Sequence, residues 1–406
     1  MPATRPALNP EWSILLAACS VACSANARPA DHRPESDGQE NDRQQKLSRL
    51  WPLLRQTVRW KALFALAEKH GAQPLLCHAL LSLNDALPAD QIACLKQSYQ
   101  ANLHKNLLLS RELIRIVQHL RSSGIEVMPY KGLALAEEIY GDVGLRQAGD
   151  IDLLIRASDL PRIRQAVGEL GYTPHAPLSV TQERAYLKSG YECAFDSAAG
   201  RNILEVQWAT QPRFYAIDFD TEGLFDRAVT VSVAGQPFKT PCFADLLLIL
   251  SAHAAKHAWG RMIWLCDIAR LMNSPTLDWN WIGSQATKLG IVRILRISML
   301  AANRLLEAAI PPAARACLPQ DSAASVLAEE METRVTSDSA YNVESFSYFR
   351  LMMRLRERRR DRLRFLARLA FTPGPAELRA IELPKPLFPL YRLIRLSRLA
   401  ARMLRM

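Results

Sequence analysis

Two carboxylates two residues apart open the chemistry of this chain. The segment Asp150-Ile151-Asp152-Leu153-Leu154-Ile155 reads as a short strand. Strand side chains alternate in direction, so Asp150 and Asp152 project to one side and Ile151 and Leu153 to the other. Two carboxylates roughly 7 Å apart on one face repel each other if buried without a cation. A divalent ion resolves that repulsion, because hard cations such as Mg²⁺ take oxygen ligands. Upstream, Lys131-Gly132 breaks the apolar run of Ile125, Val127 and Met128. It opens a segment, Leu133–Tyr140, in which Ala and Leu recur at helical spacing with Glu137 and Glu138 on the other face. Backbone N–H groups at such a helix start can hold phosphate oxygens, and Lys131 adds positive charge beside them. A polar loop, residues 141–144, then leads through Arg146 to the aspartate strand. Strand, glycine turn, helix, loop and strand in this order suggest a metal–nucleotide site.

Further along, Tyr191–Asp196 and Asn202–Trp208 read as two strands of a hairpin joined by Ser197-Ala-Ala-Gly200. Glu205 lies between the apolar Leu204 and Val206, and a buried carboxylate there needs a partner. Asp245 is expected to cap a helix running from Leu246 to Trp259, with His253 and His257 four residues apart on one face. The zinc-protease spacing needs Glu after the first histidine; Ala254 stands there, so that chemistry is excluded.

The motif Tyr130-Lys-Gly, Leu135, Tyr140-Gly-Asp, Arg146 and Gly149-Asp-Ile-Asp-Leu-Leu-Ile resembles the nucleotidyltransferases of the polymerase-beta superfamily. The likeness is to the bacterial group labelled uncharacterised nucleotidyltransferase, with more distant similarity to the nucleotidyltransferase toxins of abortive-infection systems. The resemblance implies transfer of an NMP from an NTP to an acceptor hydroxyl. Asp150, Asp152 and Glu205 would be the catalytic set and the ligands of two Mg²⁺ ions, converging on one cation site, with Glu192 in reserve. Lys131, Gly132 and Arg146 would contact the nucleotide, and from the C-terminal side Lys256 and His257 would face the triphosphate, with Asp267 orienting one of them. The family's strand motif places His before Trp; here Gln207 precedes Trp208. The acceptor stays open among small molecule, peptide product, protein and tRNA. Two other readings are a non-catalytic nucleotide- or RNA-binding protein and a membrane-surface interaction protein.

These residues need a scaffold, and the expected class is α+β. A small mixed-sheet nucleotidyltransferase core, residues 124–240, is flanked by a helical region of residues 1–123 and a second helical region of residues 241–406. Trp12–Cys23 resembles a secretory apolar segment, but the residues before it carry one Arg and one Glu and no basic cluster. It reads as the first helix of the folded body. Residues 27–45 are rich in Pro, Asp, Arg, Gln and Ser without periodicity and are expected to form a mobile loop. Leu47–Leu83 is helical by pattern, Asn84–Ala89 a turn, and Ile92–Ser122 one long amphipathic helix. Ser158–Leu170 and Trp279–Leu305 also read as helix, Pro319–Ala340 as loosely patterned, and Arg350–Ala370 as one arginine-dense helix.

The 406 residues are 49% hydrophobic and 22% charged, which describes a folded protein and excludes a disordered one. No apolar run reaches the roughly 18 residues of a membrane span. Eight scattered cysteines without metal spacing suggest reduced thiols in a cytoplasmic protein. The net charge of +11 is concentrated: from Phe346 onward there are 16 Lys/Arg against 4 Asp/Glu, an excess of 12, which leaves the rest near −1. The closing segment, Leu390–Met406, sets Arg392, Arg395, Arg398, Arg402 and Arg405 at helical spacing. Docking on the body is the first expectation for it; contact with nucleic acid or a membrane surface are the others.

Overall fold

The structure, a computed structural model, describes residues 8–24, 37–83, 87–200, 202–337 and 345–404. The chain opens with α1 (Pro10–Ala22), whose first turn is capped by the Asn9 side chain accepting from the Trp12 N–H at 2.9 Å. Trp12, Ile14, Leu15, Ala18 and Cys19 are buried, so this apolar helix is a core element. The expected loop at 27–45 is helical from Asp37 on, as α2 (Asp37–Ser48); residues 27–36 lie outside the described residues. Its last turn buries Leu47, which joins the same core as α1. Packing thus decides what composition could not. Helices α3 (Leu50–Leu54), α4 (Trp60–Lys69), α5 (Gln73–Leu81) and the long α6 (Ala89–Ser122) complete the N-terminal region. Residues 84–86 of the expected turn are outside the described residues.

The central unit follows as β1 (Val127–Pro129), α7 (Gly132–Leu135), β2 (Ile151–Ile155), α8 (Leu160–Glu169), β3 (Tyr172–Pro174), α9 (Val180–Ser189), β4 (Glu192–Ser197) and β5 (Ile203–Gln207). The five strands form one mixed sheet in the order β1-β2-β5-β4-β3, with β2 and β5 parallel and the other neighbours antiparallel. One face of this sheet, through Ile151, Leu153, Leu204 and Val206, packs on Leu113, Ile116 and Val117 of α6 and Ile163 and Val167 of α8. The other face is apolar only at one end, where Met128 and Leu154 meet Ile249 and Phe225. The remainder of that face carries the polar side chains described below. After α10 (Thr221–Asp226), a hairpin of β6 (Val229–Val233) and β7 (Gln236–Thr240) adds a two-stranded ribbon that buries Val231, Val233 and Phe238.

The C-terminal region is helical: α11 (Phe243–Lys256), α12 (Met262–Met272), α13 (Trp279–Leu289), α14 (Val292–Leu306), α15 (Pro312–Cys317), α16 (Ser322–Thr336), α17 (Phe346–Arg354), α18 (Arg359–Phe371), α19 (Pro375–Ala380) and α20 (Tyr391–Leu404). Asp245 does not cap α11. Cys242 holds that position, and Asp245 is buried in the first turn, paired with Arg227 at 2.9 Å. The loosely patterned stretch contains α16, which faces Leu327, Ala328, Met331 and Val335 inward. The expected single helix at 350–370 is two. It breaks at Arg356, a buried guanidinium that donates to the carbonyls of Met352 and Tyr215 at 2.6 Å each. Among the described residues no helix is long and apolar enough to cross a membrane.

The helix after Lys131-Gly132 widens into a π-helical turn at Ala136–Tyr140. Glu138, expected on the face opposite the apolar residues, is buried. Burial holds its carboxyl well above the usual range, opposed by the Thr240 hydroxyl. A carboxyl raised in the folded state stabilises the fold below its unfolded pKa of about 4.5, and that stability is lost as pH rises through the folded value. Over the pH window above about 4.5 the parent should therefore lose melting temperature more steeply than Glu138→Gln. The variant should also melt higher at neutral pH. Parallel melting curves across that window would show that Glu138 carries no such penalty.

Candidate active site

Strand register builds the site. Across the parallel pair Asp152 stands opposite Glu205, and across the antiparallel pair Gln207 stands opposite Glu192. Because alternate residues share a face, Asp150, Asp152, Glu205, Gln207 and Glu192 collect on one side of the sheet. Their neighbours Ile151, Leu153, Leu204 and Val206 are fully or almost fully buried on the other.

Gln207 is the hub. Its amide Nε2 donates to Asp152 Oδ1 at 3.1 Å and to Glu205 Oε2 at 2.9 Å. Its Oε1 accepts from the buried Tyr130 hydroxyl, with Lys131 Nζ 3.4 Å away. Lys131 Nζ also lies 3.2 Å from Asp152 Oδ1, so the ammonium enters the carboxylate cluster. Gly132 makes this possible. Its φ of +51° lies where side chains are strained, although an added Cβ would meet the Asp150 carbonyl only at ordinary contact distance, 3.5 Å.

The cluster is short of positive charge. Burial and the Asp152 carboxylate push Asp150 up to about 6. Burial, with Asp152, Glu192 and Asp150, pushes Glu205 up to about 7. Burial raises Glu192 as well. Lys131 answers in the opposite sense: burial disfavours its charge, but Asp152, Tyr130 and Glu205 together outweigh this and hold the ammonium above its ordinary value.

Facing the sheet, α11 and α12 form the second wall of a cleft of about 600 Å³. Lys256 lies over the Tyr191 ring at 5.5 Å. Burial and the Lys131 charge lower it to about 8, against the pull of Glu192 and Glu205. Burial and the Lys256 charge push His257 down to about 4, and burial keeps His253 well below its usual value. Both imidazoles pack against Trp264, at 5.1 and 5.3 Å. A neutral histidine pair beside a cationic lysine gives a wall with donors and modest charge.

Behind the cleft, Arg146 is committed to Asp267. Its Nε donates to both carboxylate oxygens at 3.3 and 3.2 Å and its Nη2 to Oδ2 at 3.1 Å; Nη1 lies 3.5 Å from the Gly132 carbonyl. Tyr140 donates to the same carboxylate at 2.9 Å. Asp267 therefore does not orient Lys256 or His257. It fastens α12 to the loop and the π turn around the glycine. Asn106 of α6 holds that loop from the other side, donating to the carbonyls of Val143 and Arg146 at 2.5 and 2.7 Å.

All eight residues expected at the site, Lys131, Gly132, Arg146, Asp150, Asp152, Glu205, Lys256 and His257, border this one cleft, and so does Glu192. Asp150, Asp152 and Glu205, expected to converge on one cation, share the wall of this cleft. Among the described residues no three His, Cys, Asp or Glu side chains are gathered closely enough to hold a metal ion. The physical reason is on hand: Lys131 and Gln207 meet the Asp152 and Glu205 oxygens instead. The donor set still fits a hard divalent cation in chemistry, since it consists of carboxylates crowded enough to raise one another's pKa values. Tyr130 and the hub role of Gln207 were not legible as functional. The two-residue spacing of Gln207 from Glu205 was the available signal.

Arg146 and Asp267 are 8% and 0% exposed, so removing one charge strands the other. Arg146→Met should lower unfolding stability by about 3–5 kcal/mol. Arg146→Met/Asp267→Asn should recover much of this, because the introduced amide would carry no charge and still accept from Tyr140. Urea unfolding of parent, single and double variants reads the difference. Equal losses in the two variants would show that the charges are not coupled.

Comparison with known proteins adds the family. The model of the family described as uncharacterised nucleotidyltransferase matches residues 56–307, more than half of the chain. The match spans the N-terminal helices from just before α4, the whole sheet, the cleft and α11 to α14. No curated protein and no solved structure gives a significant match. With the glycine turn, the aspartate strand and the opposing basic helix all inside the matched region, the chain belongs to the uncharacterised nucleotidyltransferase family.

Proposed function

We propose that the cleft transfers a nucleoside monophosphate from a nucleoside triphosphate to an acceptor hydroxyl. One observation carries this: Asp150, Asp152, Glu192 and Glu205 line one side of a single cleft while Lys131 and Lys256 border it as cations. An acidic half and a basic half in one cavity suit a substrate that is both polyanionic and in need of proton removal. Family membership supports the reaction class.

Asp150, Asp152 and Glu205 would hold a divalent cation, which when bound would offset triphosphate charge and acidify the acceptor hydroxyl. Lys131 and Lys256 would lie against phosphate oxygens, their ammonium groups offsetting charge that grows on the departing pyrophosphate. For Lys131 this requires exchanging Asp152 for phosphate. The acceptor oxygen attacks the α-phosphorus in line; a new P–O bond forms and the bridging bond to the β-phosphate breaks. A carboxylate of this cluster is suited to take the hydroxyl proton. Gln207 keeps the Asp152 and Glu205 carboxylates at fixed separation by donating to both. Positioning and charge offset, with little covalent work by the protein, account for such catalysis.

The test is incubation of the full chain with each α-labelled nucleoside triphosphate and Mg²⁺ or Mn²⁺, with and without cell extract. Labelled product is expected with at least one nucleotide, and Asp152→Asn should reduce it to background. Nucleotide binding by calorimetry with no incorporation under any of these conditions would instead identify a non-catalytic binding protein. Incorporation by Asp152→Asn at the parent rate would overturn the role given to the aspartate pair.

A further inference from the structure

Helix α20 docks through a mixed apolar and polar face. It faces the body with Tyr391, which is 1% exposed and whose hydroxyl donates to the Ile381 carbonyl at 2.9 Å. Two arginines also point inward. Arg395 donates to the Leu369 carbonyl at 3.3 Å and to the buried Glu377 at 3.4 Å, and Arg398 donates to the Ala376 carbonyl at 2.8 Å. Leu396 and Leu399 are half-buried, but other leucines face out. Leu393 is 61% exposed and Leu390 just before the helix 41%. The neighbouring α18 repeats the pattern: Phe365 is buried, Arg364 and Arg368 bind Asp218, and Leu363 is 66% exposed.

These exposed side chains are concentrated in one stretch of the chain, in which α18 packs against α20. Among the described residues, eight of the sixteen large exposed hydrophobic side chains fall between Phe346 and Leu393. The same stretch of chain, taken to its end, carries 16 Lys/Arg against 4 Asp/Glu. Arg359, Arg360 and Arg392, each exposed, interleave with the leucines. Apolar side chains in that number have no reason to face water unless something covers them. A second copy of this face would set two strongly basic surfaces against each other, which is unfavourable. Nucleic acid would satisfy the arginines and leave the leucines wet. An anionic lipid surface satisfies both, because leucines enter the acyl boundary while arginines reach the headgroup phosphates.

We propose that α18 and α20 dock this protein peripherally on an anionic membrane surface. The interaction is independent of the nucleotidyl-transfer reading and lies on elements beyond the family match, which ends at residue 307. It holds the protein at the interface without spanning it, in keeping with the absence of a membrane-crossing helix among the described residues.

Flotation of the full-length protein with phosphatidylcholine vesicles, with and without phosphatidylglycerol, tests this. The protein should float with the anionic vesicles, stay behind with the neutral ones, and be released by salt. Leu363→Glu/Leu393→Glu should cut the floated fraction by about tenfold or more, since each change removes a buried leucine from the lipid. Leu107→Glu/Leu108→Glu, which alters equally exposed leucines on α6, should float like the parent. Melting temperatures of both variants must match the parent for the comparison to count, and Leu363→Ala/Leu393→Ala replaces the first variant if it fails that check. Flotation that ignores phosphatidylglycerol, or that survives loss of the leucines, would overturn the proposal. So would a concentration-dependent dimer lost in the leucine variant, or binding of single-stranded RNA without flotation.

Discussion

Crowded negative charge on one face of a small sheet is the constraint around which this protein is arranged. Asp152 and Glu205 are direct neighbours across the parallel β2–β5 pair, and Asp150 and Glu192 border the same cleft. Carboxylates this close, taken partly out of water, disfavour one another's ionisation, and the raised values of Asp150 and Glu205 express that. Every element around the cleft answers it. The glycine turn delivers Lys131 into the cluster, β5 supplies the Gln207 amide, and α11 brings Lys256 to the opposite wall.

Holding those answers in place takes a second layer. The turn that carries Lys131 owes its position to Arg146, fixed by Asp267 of α12 and held at its carbonyl by Asn106 of α6. Helices from both flanking regions therefore converge on one loop of the central unit. An enzyme that must expose acidic oxygens to a polyanion gains from this rigidity, because misplacement of either charge set weakens binding and attack together. The Lys131–Asp152 pair borders the cleft and is the part of the layer that an anionic ligand there could compete for. The deeper Arg146–Asp267 pair is shielded from that competition by its burial.

The basic C-terminal helices follow different physics. Their arginines are used twice, inward as hydrogen-bond donors to carbonyls and to Glu377, and outward as charge beside exposed leucines. Long guanidinium side chains can do this because their apolar stems cross a hydrophobic boundary while the head finds an acceptor. The cleft and a surface patch can thus sit in one chain without competing for residues.

Local pattern by itself determined the α+β class, the long α6, the β4–β5 hairpin and the sharing of a face by Asp150 and Asp152. Each depends on periodicity, glycine placement or strand alternation, which neighbouring residues define among themselves. The uneven charge toward the C-terminus was equally plain from counting. What tertiary structure decided involves partners far apart in the chain. Arg146 meets Asp267 across 121 positions, and Tyr130 meets Gln207 across 77. Glu138 is buried because a ribbon and a π turn close over it, although its helical spacing set it opposite the apolar residues. Residues 37–48 are helical because Leu47 reaches the core under α1, against a polar composition that favoured a loop. The outward turn of Leu363 and Leu393 likewise depends on which face finds acceptors on the body. Burial of Phe365 and Tyr391 against the body, together with hydrogen bonds to carbonyls outside each helix, made that choice.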